Sequence, residues 1–138
     1  VCDDIRSEVN NKKTLVGVYN NNIIFYKKSG KSQFPINMQI GVYIKVQREK
    51  NDPEFNYFKM KLLVEGQELN KARGELICNV KNVPIIFTFV LPVKFKQTGI
   101  LKAEIEFWWD KTKVLDVTTD SNELNFFIDE ADSPTSIK

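Results

Sequence analysis

Hydrophobic and polar residues alternate most regularly over residues 84–109. From Ile85 to Phe95 every odd position carries a large apolar side chain, while the even positions fade from Ile86, Thr88 and Val90 to Pro92 and Lys94. A period of two is that of a strand with one face on a core. After Lys96-Gln97-Thr98-Gly99 the period resumes. Leu101, Ala103, Ile105, Phe107 and Trp109 take one side, and Lys102, Glu104 and Glu106 the other. Two long half-buried strands meeting at a glycine are predicted.

Two connections satisfy this pattern. A three-residue hairpin with Gly99 in the left-handed region sets Phe89 opposite Phe107 and Phe87 opposite Trp109. A corner over 98–103 instead carries the chain from one sheet to the other. The length of both apolar series favours the corner, because it suits two facing sheets.

Elsewhere the same period marks shorter strands. Residues 14–19 and 23–26, separated by Asn20-Asn21-Asn22, read as a returning hairpin. Residues 34–46 put Ile36, Met38, Ile40, Val42, Ile44 and Val46 on one face, and 57–65 alternate through Phe58, Met60, Leu62 and Val64. A weak edge strand at 69–73, a further strand at 74–80, and strands at 113–118 and 124–128 complete the series. Residues 1 and 2 read as a strand end leading into a polar segment. There is no convincing helix and no internal repeat. The expected fold is all-β: a two-sheet antiparallel β-sandwich, immunoglobulin-like or similar, of eight or nine strands. It forms a single domain over 1–128, and the polar tail 129–138 has no reason to be ordered.

Composition narrows the function classes. A net charge of +2 gives no general reason to expect nucleic acid or an anionic membrane. No apolar run approaches the ~20 residues of a membrane-spanning helix. Two cysteines, Cys2 and Cys78, are too few for a disulfide framework, although one bridge between them is sterically conceivable. Together with the absence of an Asn-x-Ser/Thr acceptor, this points to a reduced, cytoplasmic setting.

The opening run Cys2-Asp3-Asp4-Ile5-Arg6, followed by Asn11-Lys12-Lys13-Thr14-Leu15-Val16-Gly17-Val18-Tyr19, resembles the start of a bacterial family of small uncharacterised domains. Glu65-Gly66-Gln67-Glu68-Leu69 and the Phe95-x-x-x-Gly99-x-Leu101 corner are similar too. The resemblance implies a sandwich-like fold. It brings no catalytic residues, because that family has a domain of unknown function.

Chemistry is sparse. The chain has 0 histidines, which removes the commonest general base and metal ligand and excludes Ser-His-Asp and Cys-His catalysis. Gly30-Lys31-Ser32 resembles the end of a phosphate-binding loop, but Phe25 stands where that pattern needs glycine. Asp110, Asp116 and Asp120 match no calcium-loop spacing. Glu104 and Glu106 read as wet-face charges. No cofactor is implied.

Two clusters remain as candidates. If 14–19 and 23–26 form a hairpin, Lys12, Lys13, Lys27, Lys28 and Lys31 crowd one rim that can hold phosphate or a nucleic-acid backbone. Trp108 points opposite to Trp109, toward the polar face, and with Ile86 and Val90 forms a candidate interaction face. The expected role is therefore a non-enzymatic module that works by protein contact or self-association. Anion or nucleic-acid binding at the lysine rim is the alternative, and an unrecognised enzyme the third.

Overall fold

The computed structural model describes residues 1–7, 13–19, 21–48, 51–76, 84–118 and 126–134. Among them there is no helix, and ten strands form two sheets. The first sheet contains β1 (Cys2–Ser7), β2 (Lys13–Val18), β4 (Ile36–Val46) and β7 (Ile85–Phe95) in the order β2-β1-β4-β7. The second contains β3 (Asn22–Tyr26), β10 (Phe126–Ala131), β8 (Gly99–Trp109), β5 (Tyr57–Val64) and β6 (Gln67–Glu75) in the order β3-β10-β8-β5-β6. β9 (Thr112–Thr118) also pairs with β8, so β10 and β9 follow each other along one side of that strand. The second sheet curls into a half-barrel.

The long alternating strands set the core. On β4 and β7 the expected positions face inward, with Ile40, Val42, Phe87, Val93 and Phe95 buried. Phe58, Met60, Leu62, Val64, Leu101, Ile105 and Phe107 from β5 and β8 join the same cluster. Burial of such side chains is the main stabilising contribution, at roughly 1.5–3 kcal/mol each.

The connection at 96–99 is the corner: β7 pairs with β4 in one sheet, and β8 with β5, β9 and β10 in the other. Phe87 and Phe107 therefore meet across the core, ring centroids 6.5 Å apart and nearly perpendicular, instead of as strand neighbours. Gly99, at φ 152°, admits the Glu65 side chain, whose Cδ lies 3.0 Å from where a Cβ would stand.

Five expectations need correction. The polar segment after residues 1 and 2 is itself strand, because β1 runs on to Ser7 and pairs with β2. The 14–19/23–26 hairpin does not form, because β2 pairs with β1 and β3 pairs with β10. The β3–β10 ladder is parallel, so the sheets are not wholly antiparallel. That ladder also orders the start of the supposed tail: Asp129, Glu130 and Ala131 pair with Ile24, Phe25 and Tyr26. Ser133 Oγ donates to the Lys27 carbonyl at 2.6 Å. Finally, β6 runs unbroken through Gly74, which the sequence reads as a break. The glycine makes room for the Phe58 ring, whose Cε1 lies 3.2 Å from where a Cβ would stand. Residues 77–80 of the expected 74–80 strand lie outside the described residues.

The opening motif has a structural role. Cys2 is a buried free thiol on β1 opposite Gly41, and its Sγ donates to the carbonyls of Asp4 at 3.3 Å and Gly41 at 3.5 Å. A Cβ on Gly41 would stand 2.7 Å from that sulfur, so only glycine fits there. Burial pushes the Cys2 thiol above its ordinary pKa. In the folded protein, alkylation of Cys2 by iodoacetamide is expected to be at least about 100-fold slower than in urea. Peptide mapping by mass spectrometry measures both rates, and equal rates contradict this packing. With Cys2 free, the conceivable bridge is not formed; Cys78 itself lies outside the described residues.

Candidate functional site

The most distinctive surface is the outer face of the second sheet, where inward alternation on β5 and β8 leaves the intervening residues in solvent. Strand register fixes the layout in three rows. Arg73, Lys59, Glu106 and Asp116 lie side by side across β6, β5, β8 and β9. The next row is Lys71, Lys61, Glu104 and Thr118, and on the other side is Glu75, Tyr57, Trp108 and Lys113. An open groove of about 870 Å³ runs over the first two rows. Its β6/β5 side is basic and its β8/β9 side acidic.

Trp108 stands in the third row, beside this groove and outside its lining. It is half-buried and held by its own neighbours: Nε1 donates to Glu106 Oε2 at 3.1 Å, and the Lys59 ammonium lies 4.3 Å from the ring centroid. A cation over an indole face contributes about 0.5–1 kcal/mol at an exposed site. Trp108 thus faces outward as the alternation predicts, and a lysine on the adjacent strand covers one side of it. Glu106 is occupied by the indole, and Lys113 binds Asp116 at 3.0 Å, which raises the lysine pKa.

Ile86 and Val90 do not join Trp108. They are on β7, in the other sheet, and so face outward on the opposite side of the molecule. The corner at 96–99 separates the two groups. Ile86 is exposed, whereas Val90 lies opposite Gly41, the position that Cys2 and Ile5 cover.

The lysine rim loses the hairpin on which it depends. Lys28 and Lys31 flank a tight turn through Ser29 and Gly30, both with positive φ, and exchange backbone hydrogen bonds of 3.0 Å. Lys27 binds Asp132 at 3.4 Å. Lys12 and the Lys13 side chain lie outside the described residues. Asp110 is bound by Asn56, Asp116 by Lys113, and Asp120 is not among the described residues. Among those residues no group of three metal-ligating side chains comes together. No helix there is long and apolar enough to cross a membrane.

Sequence reasoning noticed Glu104, Glu106 and Trp108 but missed Lys59, Lys61, Lys71 and Arg73. Each of these reads singly as a wet strand position. Only the pairing of β6 with β5 and of β5 with β8 brings them into one basic half beside an acidic one. Searches against family models, curated proteins and solved structures find nothing that matches this chain.

Proposed function

We propose that this chain is a non-enzymatic, immunoglobulin-like β-sandwich that works by protein contact in the cytoplasm, through the outer face of its second sheet. The observation that carries this reading is the groove, with cations and carboxylates segregated to opposite sides, and Trp108 in the row beside it. Segregated charge steers and orients a protein partner more than it contributes raw affinity, and an indole at the margin supplies an anchor. Membership of the bacterial family that the opening motif resembles is part of the same proposal, and it rests on the sequence match at Cys2, Asp3, Gly17 and Tyr19 alone.

The test is capture from a lysate of the source cell on immobilised protein, with Trp108→Ala as control bait. Wild type is expected to retain a protein that Trp108→Ala loses, with both baits giving the same circular dichroism. Equal capture by both removes this face from the reading. If only nucleic acid is retained, and Lys28→Glu with Lys31→Glu releases it, the anion-binding alternative takes its place.

A further inference from the structure

The charges on this face change sign across the line between β5 and β8. Lys59 mirrors Glu106 and Lys61 mirrors Glu104 on the two adjacent strands; Arg73 mirrors Asp116 and Glu75 mirrors Lys113 on the two outer ones. Tyr57 mirrors Trp108. The inner pairs have an ordinary explanation, because opposite charges on neighbouring strands attract. The outer pairs are too far apart for that, although Lys113 and Asp116 do bind each other along β9 at 3.0 Å. β6 and β9 are three strand spacings apart, about 14 Å, which is beyond direct pairing and more than a Debye length in physiological salt.

Within the chain the same layout is unfavourable. Arg73 lies opposite Lys59, Lys71 opposite Lys61, and Asp116 opposite Glu106, and like charges directly opposite each other destabilise a sheet. A counter-charged surface would relieve all three. A two-fold axis lying in the contact plane, parallel to the strands and between β5 and β8, supplies that surface. It sets the basic half of one copy on the acidic half of the other and matches Arg73 with Asp116, Glu75 with Lys113, and Tyr57 with Trp108. A two-fold axis across the strands would put like on like. We infer that a second copy of this chain occupies the face, related by the axis along the strands; this rests on reading the face as a protein contact surface.

Sedimentation at low ionic strength is the test. Wild type is expected to show twice the mass of the chain. The dimer should weaken as salt rises from about 0.05 to 0.5 M, because exposed pairs are screened. Lys59→Glu with Lys61→Glu makes both central strands of the face acidic, leaving Arg73 and Lys71 as the cations of that half, and is expected to raise the dimer dissociation constant by about 100-fold. Adding Glu104→Lys and Glu106→Lys to that variant exchanges the signs of the two central strands, with Arg73, Lys71 and Asp116 unchanged. The fourfold variant should dimerise with itself again and refuse wild type, which native mass spectrometry of a mixture reads directly.

A wild type that stays monomeric at low salt overturns the inference even if the variants fail to fold. Free exchange between wild type and the swapped variant overturns it as well. Should the monomeric wild type capture another protein that Lys61→Glu loses, the face remains a contact surface and only the second copy is wrong. If nothing is captured either, both readings fall.

Discussion

Phe107→Ala is expected to lower the unfolding free energy by about 3–5 kcal/mol, the range for truncating a fully buried phenylalanine. Phe107 is 1% exposed, in a strand that holds β5 on one side and β9 on the other. Its ring centroid stands 4.3 Å from that of Phe55 and 6.5 Å from that of Phe87, and Phe58 in turn lies 4.6 Å from Phe87, tilted by 34°. Alanine therefore leaves a void between the two sheets, walled by rings that cannot all move inward. Leu115, opposite Phe107 on β9 but 36% exposed, provides the control. Leu115→Ala should cost no more than about 1 kcal/mol, because much less surface returns to water. Urea unfolding at constant m-value separates the two. Equal losses at both positions would place the centre of the core elsewhere.

The fold was legible because alternation survives in the long strands. Residues 34–46, 57–65 and 84–109 each have one apolar face, and that pattern alone locates β4, β5, β7 and β8 and which of their side chains face inward. Connectivity was less legible. Asn20-Asn21-Asn22 between two short apolar runs is a good hairpin signal, yet β2 and β3 go to different sheets because β2 pairs with β1, the strand just before it, and β3 with the distant β10. A parallel pairing such as β3 with β10, more than 100 residues away in sequence, leaves no local trace. Gly74 shows the opposite failure, since a glycine that admits a neighbouring ring looks in sequence like one that ends a strand.

The candidate site was legible only in part, for a related reason. Alternation shows that Lys59, Lys61, Glu104 and Glu106 are wet, but strand order decides whether they scatter or segregate. β6 beside β5 doubles Lys59 and Lys61 with their like, β9 beside β8 doubles Glu106, and the β5–β8 ladder puts the two signs edge to edge. Trp108 gains its cation the same way. Its neighbour on the next strand is Tyr57, and Lys59 is one pleat away on the same face.

Gly17→Ala is expected to cost about 2–4 kcal/mol, a large effect for an exposed strand position, because two independent requirements meet there. Gly17 has φ +63°, where an L side chain costs roughly 1–2 kcal/mol. Its missing side chain is also where Asp3 lies: a Cβ would stand 2.8 Å from the Asp3 Cγ. The methyl group would displace a carboxylate that accepts the Tyr19 hydroxyl proton, while Tyr19 N also donates to the Val1 carbonyl at 3.0 Å. Asp3→Ala alone loses that hydrogen bond, about 1 kcal/mol. With Asp3→Ala already present, Gly17→Ala meets the backbone penalty and a 3.2 Å approach to the residue 3 Cβ but no carboxylate, so the double variant should be more stable than the sum of the two singles predicts. Strict additivity would mean that the carboxylate does not occupy the glycine's space. Tyr19 gives a second readout. Burial, and then the hydrogen bond to Asp3, push its pKa up to about 12, against an unfolded value near 10. A pKa raised on folding means that the contribution is complete below pH ~10 and is lost as pH climbs toward the folded value. Wild type should therefore lose stability over that interval more steeply than Tyr19→Phe, and the difference should shrink in Asp3→Ala.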